Sequence, residues 1–284
     1  MKIKVSELFY SIQGEGRYMG VPSVFLRTFG CNFTCGGFGM SRGEDSDERN
    51  KVAEKIELYK TYKDLPLVST GCDSYASWDH RFKHLSPYYQ VEDLAQSIQN
   101  ILPHKEWRDE HLVITGGEPL LGWQRAFPSL LDQPGMERLR EITFETNGTQ
   151  KLHKAFKDYL ILWTNSYGRR GWGDITFSVS AKLPGSGEEW KSAIKPKTVC
   201  EYQDVGYVYL KFVLATDQDL EDALRATDEY RQAGFKGPVY LMPVGGVESV
   251  YSLNNRRVAE YAMTYGLRYS DRLQVPLFKN EWGT

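Results

Sequence analysis

Cysteine and histidine are scarce in this sequence, whose 284 residues include only four cysteines and five histidines. Four cysteines in a chain of this length cannot form the disulfide framework of a small secreted protein. No apolar run approaches the roughly 18 residues that a membrane helix requires, and the first residues contain no apolar stretch of signal-peptide length. These absences predict a soluble, cytoplasmic protein without a membrane partner.

An excess of charge of either sign is also missing. The 35 Lys and Arg residues nearly balance the 37 Asp and Glu residues, which leaves a net charge of −2. Because nucleic-acid-binding domains usually carry a strong basic excess, we expect no direct contact with nucleic acid. The apolar fraction of 41% and the charged fraction of 25% are typical of a globular protein that buries a large core.

Short apolar runs that lead into turns alternate with helical patterns. Six runs predict buried or half-buried strands: 23–29, 111–115, 142–146, 176–180, 207–214 and 239–242. Three segments with apolar residues at helical spacing predict helices: 91–102, 217–233 and 254–265. The alternation indicates an α/β fold with a mostly parallel sheet or barrel, in which chemistry collects at the carboxyl ends of the strands.

One segment, at about 36–71, interrupts this alternation. It is rich in mixed charge and poor in apolar residues, so it predicts a surface excursion with one helix near 48–62. The rest of the chain contains no repeat, low-complexity tract or linker. The sequence therefore predicts a single domain over 1–284 with an insertion at about 36–71.

A CxxxC pair, Cys31 and Cys35, follows the first predicted strand. Zinc sites usually combine CxxC spacing with four ligands, and the chain has neither a second cysteine pair nor histidines at ligand-like spacing nearby. Three thiolates on a 4Fe-4S cluster leave one iron open, and that iron can bind S-adenosylmethionine (SAM). A non-enzymatic zinc-binding module remains the alternative interpretation.

Several motifs in order resemble those of radical SAM enzymes, and more narrowly those of the 7-carboxy-7-deazaguanine synthase (QueE) family. The motifs are SIQGEG at 11–16, FLRTFGCN at 25–32, CDS at 72–74, TGGEPL at 115–120 and ETNGT at 145–149. Each motif is weak alone, whereas the ordered set is specific. The resemblance covers most of the chain, from residue 9 to about 211.

The resemblance implies a partial (β/α) barrel of the radical SAM type and a defined reaction. The reaction is a radical ring contraction of 6-carboxy-5,6,7,8-tetrahydropterin to 7-carboxy-7-deazaguanine, with loss of ammonia, in queuosine-type biosynthesis. The implied cofactors are a 4Fe-4S cluster, SAM and Mg²⁺, and the implied partners are an electron donor such as flavodoxin or ferredoxin and a second copy in a homodimer. Another radical SAM enzyme, such as a glycyl-radical activase, is the alternative within the superfamily.

The third cluster cysteine departs from the family pattern, because Phe38 occupies its usual position. We assign the third ligand to Cys72, beyond a 36-residue insertion, since Asp-Ser follows it as Asp-Thr does in the family. Cys200 has no such flank and is interpreted as a small buried hydrophobe. Gly71 replaces the aromatic residue that usually contacts the adenine, so Phe38 or Tyr75 is expected to take that place.

The resemblance also implies roles for other residues. Those expected to bind SAM are Gly116, Gly117, Glu118, Asn147 and Ser180. Those expected to bind the pterin are Gln13, Glu15, Arg27 and Lys182. Ser74 is expected to ligate Mg²⁺ with Asp73 orienting its hydroxyl, the segment 278–284 to fold back near the site, and the insertion to act as a lid.

Overall fold

The computed structural model describes residues 1–165 and 174–284. Its strands are β1 Lys2–Ile12, β2 Pro22–Thr28, β3 Tyr88–Gln90, β4 His111–Gly116, β5 Glu141–Thr146, β6 Asp174–Val179, β7 Tyr207–Leu214, β8 Val239–Pro243 and β9 Arg268–Tyr269. Its α-helices are α1 Glu48–Ala53, α2 Val91–Ile101, α3 Phe127–Leu131, α4 Lys154–Asn165, α5 Trp190–Ala193, α6 Pro196–Tyr202, α7 Asp217–Gln232, α8 Glu248–Thr264 and α9 Gln274–Phe278. Within these two ranges, no helix has the length and apolar character needed to cross a membrane.

The strands form one nine-stranded sheet in the order β3-β1-β2-β4-β5-β6-β7-β8-β9. Every pair from β2 through β9 is parallel, whereas β1 pairs antiparallel with both β2 and β3. Helices follow β4, β5, β6, β7 and β8, as the βα repeat requires. The predicted α/β fold with a partial barrel is confirmed, and each of the six predicted strands is present within two residues of its expected bounds.

Buried aromatic side chains form the centre of the core between the sheet and its helices. Phe144 on β5 contacts Phe127, Phe156 and Phe177, with ring centroids 5.5–5.8 Å apart. Phe177 on β6 stacks in turn on Tyr202 of α6 at 4.6 Å. All five side chains are nearly inaccessible to solvent. Aromatic rings bury large areas and restrict one another's geometry, so this layer fixes β5 and β6, and β5 leads into the ETNGT motif.

The segment 36–71 has a small hydrophobic core of its own, which we call the satellite core. It combines Val52, Tyr62, Leu65 and Val68 from the segment with Tyr75, Ala76 and Phe82 from the residues after it. Trp282, near the end of the chain, packs against this core. Its indole nitrogen donates to the Leu65 carbonyl at 3.1 Å, and its ring lies 5.6 Å from those of Tyr62 and Tyr75. The segment is therefore packed rather than loosely tethered.

We expect Trp282→Ala to loosen the satellite core. Losing a half-buried tryptophan with two aromatic contacts should lower the free energy of unfolding by about 2–3 kcal/mol. Urea unfolding measures that loss, and limited proteolysis should cut within 36–71 faster than in the wild type. The control is Leu277→Ala, because Leu277 is 55% exposed. Equal proteolysis rates in the wild type and the Trp282 variant would contradict this packing role.

Candidate active site

A cavity of about 240 Å³ opens at the carboxyl ends of the parallel strands. All but one of the residues expected to bind a cofactor or substrate line it: Gln13, Glu15, Arg27, Cys31, Cys35, Cys72, Ser74, Gly116, Gly117, Asn147, Ser180 and Lys182. The exception is Glu118, which lies beneath the lining. Residues 280–284 also line the cavity, in agreement with the expectation that this segment folds back near the site.

The loop after β2 holds Cys31 and Cys35 in a fixed conformation. Cys35 has a left-handed backbone with φ of 49°, which is unfavourable for a residue with a side chain. The Glu188 carboxylate offsets this cost because it accepts hydrogen bonds from the backbone N–H of Thr34 at 2.8 Å and of Cys35 at 2.9 Å. Glu188 was not expected from the sequence, since it lies far along the chain in a loop without a motif.

Cys72 joins the pair because the segment 36–71 closes on itself at a narrow neck. The Gly71 N–H donates to the Phe38 carbonyl at 2.7 Å, and the Ser46 N–H donates to the Gly36 carbonyl at 2.8 Å. The Glu48 carboxylate accepts from the Ser69 N–H at 2.7 Å and from the Thr70 hydroxyl at 2.7 Å.

The closed neck explains the glycine before Cys72. Gly71 has φ of +79°, and a Cβ there would lie 3.1 Å from the Ser46 Cβ. An aromatic residue at this position would therefore be strained. Of the two candidates to replace it, Phe38 lines the cavity, whereas Tyr75 is fully buried in the satellite core.

The three cysteines share an apolar pocket with Phe33, Phe38 and Ala193. Burial raises the pKa of Cys31 to about 12 and that of Cys35 well above its usual value. Cys200 lies elsewhere, on α6. Buried thiols with high pKa values ionise when a metal replaces their protons, and three thiols without a nearby fourth fit a cluster with one open iron.

A site for a single metal ion is not formed by these thiols. Over residues 1–165 and 174–284, no three His, Cys, Asp or Glu side chains are close enough to surround one ion. A multi-iron cluster holds its ligands on different iron atoms, so its thiolates lie farther apart than those around one zinc ion. The described residues therefore do not provide the ligand group that the zinc-binding module requires.

Gly117, directly after β4, allows close contact with the cysteine loop. A Cβ on Gly117 would lie 2.6 Å from the Gly30 carbonyl oxygen and 2.7 Å from the Cys31 Cβ. The next residue, Glu118, donates its N–H to the same carbonyl at 2.7 Å. Only glycine permits this approach, which places the β4 loop beside the cysteines.

Glu118 supports the loops from below the cavity. Its carboxylate is fully buried and accepts from the Thr146 hydroxyl at 2.8 Å and from the Asn147 N–H at 2.6 Å. Burial raises its pKa to about 7. The carboxylate that was expected to reach the SAM ammonium thus fixes Asn147, whose side-chain amide donates to Asn32 at 2.9 Å. Gly116, Gly117 and Asn147 remain on the cavity surface.

Glu15 is the centre of a largely buried ionic network that connects residues far apart in the sequence. It forms ion pairs with Lys211 and with Arg272 at 3.1 Å, and it accepts from the Gln274 amide at 2.9 Å. Burial alone would raise the pKa of Glu15, but the two cations outweigh it and hold the pKa below its usual range. Glu15 was expected to face a pterin, whereas its oxygens are bound to these partners in the structure.

Arg27 is held by two side chains that also line the cavity. Its Nε donates to Glu7 at 2.8 Å and its Nη1 donates to the Ser74 hydroxyl at 3.3 Å. The Ser74 hydroxyl donates to Asp73 at 3.1 Å, so Asp73 does orient it as expected. Asp73 also pairs with Arg272 at 2.6 Å.

These contacts do not fit the magnesium site that was expected at Ser74. A dication at the Ser74 oxygen would lie against the Arg27 guanidinium, and Coulomb repulsion at such short range is unfavourable. The neighbouring Asp73 carboxylate is already paired with a second guanidinium, that of Arg272. We therefore assign no role to Mg²⁺.

Two further hydrogen-bonded pairs of polar side chains line the cavity. The Gln13 amide donates to Glu145 at 3.2 Å, and the Lys182 ammonium donates to the Ser180 hydroxyl at 3.0 Å. Lys182 also lies 5.6 Å from the centroid of the Phe38 ring. Glu145 was not singled out as a site residue, although it begins the ETNGT motif.

The fold and the site place the chain among α/β enzymes with a partial barrel and a cysteine-lined cavity. A crystal structure of QueE from Escherichia coli is similar to it, with a TM-score of 0.54, 19% identity and coverage of 95% of this chain and 93% of that one. At this identity, the similarity concerns the fold alone. No family model matches the chain.

Sequence comparison identifies the family. The 7-carboxy-7-deazaguanine synthase of Halobacterium salinarum is 30% identical over 98% of this chain and 91% of its own length. The enzyme of the same name from Leptospira interrogans is 25% identical over 100% of this chain and 97% of its own length. The chain belongs to the 7-carboxy-7-deazaguanine synthase family.

We expect Glu15→Gln to destabilise the fold. Replacing Glu15 removes the carboxylate partner of the buried Lys211 ammonium and leaves Arg272 with Asp73 alone. The variant should therefore lower the free energy of unfolding at pH 7 by about 3 kcal/mol. The folded-state pKa of Glu15 is lower than its ordinary value of 4.5. The contribution is therefore fully present above about pH 4.5 and is lost as the pH falls further.

Urea unfolding of wild type and variant between pH 7 and 3.5 measures both effects. The exposed Glu44 provides the matched control, and Glu44→Gln should change little. Equal stability of wild type and the Glu15 variant at pH 7, or a stability gap that widens below pH 4.5, would be inconsistent with the network.

Proposed function

We propose that the chain is a 7-carboxy-7-deazaguanine synthase of the radical SAM type. The reaction is the ring contraction of 6-carboxy-5,6,7,8-tetrahydropterin to 7-carboxy-7-deazaguanine with loss of ammonia, which makes the enzyme a carbon-nitrogen lyase of 7-deazaguanine biosynthesis. The observation that carries the proposal is the meeting of Cys31, Cys35 and Cys72 at one wall of the cavity, in a chain of this family.

The three cysteines would hold a 4Fe-4S cluster, and the β4 and β5 loops would hold SAM beside it. Such a cluster, when bound and reduced, would supply the electron for reductive cleavage of SAM, which is radical chemistry that the protein itself cannot perform. The glycines Gly116 and Gly117 offer backbone oxygens to the ammonium group of SAM. Phe38 lines the same region and offers an aromatic face to the adenine.

The remaining polar groups of the cavity suit a pterin with a carboxylate. Arg27 offers a planar guanidinium for a carboxylate. Glu145 and Gln13 offer acceptors for the guanidine-like edge of the pterin. Because Glu7 and Glu15 hold their cations through buried ion pairs, these groups need little rearrangement before the substrate binds.

The segment 36–71 would act as a lid over the cavity. It supplies Phe38, Leu67, Ser69 and Gly71 to the lining, and both of its ends adjoin cluster cysteines. A wall of this kind limits the access of water and oxygen to a radical reaction. We further propose an electron donor such as flavodoxin or ferredoxin, and a homodimer.

Two other functions fit the cavity less well. A glycyl-radical activase would share the cysteines but would not need Gln13, Glu145 and Arg27 arranged around a small ligand. A zinc-binding module would need four ligands around one ion, and the described residues offer no such group.

We expect Cys31→Ala, Cys35→Ala and Cys72→Ala each to abolish both SAM cleavage and product formation, because each removes a ligand from a three-ligand cluster. Cys200→Ala is the matched control and should retain activity. The measurement incubates anaerobically reconstituted protein with SAM, a reductant and carboxytetrahydropterin, and detects the deazaguanine product by mass spectrometry. Normal turnover by the Cys72 variant would refute its assignment as a ligand.

We also expect turnover to be independent of Mg²⁺. Because Arg27 and Asp73 already bind the Ser74 hydroxyl, adding millimolar Mg²⁺ to metal-depleted assay buffer should change the initial rate by less than about twofold. Ser74→Ala should lower the rate equally with and without Mg²⁺. Strong stimulation by Mg²⁺ that disappears in the Ser74 variant would instead establish a magnesium site.

A further inference from the structure

Trp78 lies beside the third cysteine and is contacted by the segment 36–71. It lines the cavity, and its indole N–H donates to the Cys72 Sγ at 3.3 Å. The indole N–H is a donor only, so this contact gives the sulfur a fixed hydrogen-bond partner. The neighbouring Asp79 is buried, which anchors the chain directly after the tryptophan.

Arg49, on α1, lies over a face of the Trp78 ring, whereas the Cys72 sulfur contacts its N–H edge. Its guanidinium carbon lies 4.6 Å from the centroid of the Trp78 ring, and its Nε lies 3.3 Å from the Asp79 carboxylate. Asp79 also accepts from Arg81, and Arg81 donates to Asn50 of the same helix at 3.0 Å. The ring is therefore fixed between a cation and the cysteine sulfur.

We propose that Trp78 is a positioning residue that orients Cys72 and raises the reduction potential of the cluster bound there, with Arg49 holding its ring. This inference rests on the proposed function, because it requires that Cys72 ligate a cluster. A hydrogen bond to a thiolate withdraws electron density from the sulfur and favours the reduced, more negative form of the cluster. A cation over the ring face polarises the indole and strengthens its N–H as a donor.

The segment 36–71 would then influence the reduction potential of the cluster, in addition to forming part of the cavity wall. The segment separates Cys72 from the other two cysteines, yet it also supplies Arg49 to the group that contacts the Cys72 sulfur. Because Arg49 also pairs with Asp79, which immediately follows Trp78, its guanidinium and the indole are held together.

The test compares wild type with Trp78→Phe, which keeps an aromatic ring for Arg49 but removes the N–H donor. Both proteins are reconstituted anaerobically, their iron and sulfide contents are measured, and the cluster is titrated by electron paramagnetic resonance. The variant should load a cluster, and at a fixed potential its ratio of reduced to oxidised cluster should fall about fivefold. For a one-electron couple a tenfold change corresponds to 59 mV.

Arg49→Gln provides the second measurement, with a smaller shift in the same direction, and Arg81→Gln is its control. Arg81 shares Asp79 with Arg49, so its loss should leave the potential unchanged. A wild-type potential in the loaded Trp78 variant would overturn the proposal. Where that variant loads no cluster, a wild-type potential in Arg49→Gln overturns it.

Failure of the proposed function gives a different result from failure of this inference. A wild-type chain that binds no iron and sulfide overturns both of them. Loaded proteins that make the deazaguanine product but have equal reduction potentials overturn the role of Trp78 alone.

Discussion

The neck of the segment 36–71 is the constraint on which the cysteine site depends. Two of the three thiols are close in sequence, and the third is separated from them by 36 residues. Relative to a two-residue link, closing so long a loop costs about 2.5 kcal/mol of additional chain entropy. The neck hydrogen bonds that involve Phe38, Ser46 and Glu48 contribute about 1 kcal/mol each, so a few of them offset the closure. A long excursion is therefore compatible with a precisely placed third thiol.

The same closure connects the site to parts of the chain that are distant in sequence. Once the neck is formed, the satellite core places Trp282 against Leu65, and residues 280–284 then line the cavity. The network around Glu15 makes a second connection, because it joins the loop after β1 to β7 and to Arg272. Buried ion pairs contribute less to stability than to a single geometry, and here they hold the walls of the cavity in register.

The strands were predictable from the sequence because each is a short apolar run that ends in a turn. The first strand, β1, was missed because its side chains are mostly half-buried and lack a continuous apolar run. Helix α4 was missed for a different reason. Its run of Leu160, Ile161, Leu162 and Trp163 does not distinguish a helix from a strand, and only the fold shows that Leu162 is exposed.

The site was predictable where residues belong to motifs at strand ends, and it was not predictable where their partners lie elsewhere. Glu188, Lys211 and Arg272 have no local pattern that marks them, since their role depends on contacts across more than 150 residues. Gly71 stands where the family pattern has an aromatic residue, and only the structure explains this difference, because the neck requires a positive φ at this position. The direction of the Glu118 carboxylate is likewise a tertiary property, decided by the donors of Thr146 and Asn147.

The cationic side chains of the cavity differ in whether their partner is a carboxylate or a neutral hydroxyl. Arg27, Lys211 and Arg272 each contact a carboxylate, so an incoming anion competes with a partner already in place. Lys182 donates instead to the neutral Ser180 hydroxyl beside Phe38, and a hydroxyl is a much weaker partner for an ammonium than a carboxylate. An anion that enters the cysteine side of the cavity therefore gains most from Lys182. The cavity therefore offers two unequal cationic positions, Lys182 near the cysteines and Arg27 near Ser74.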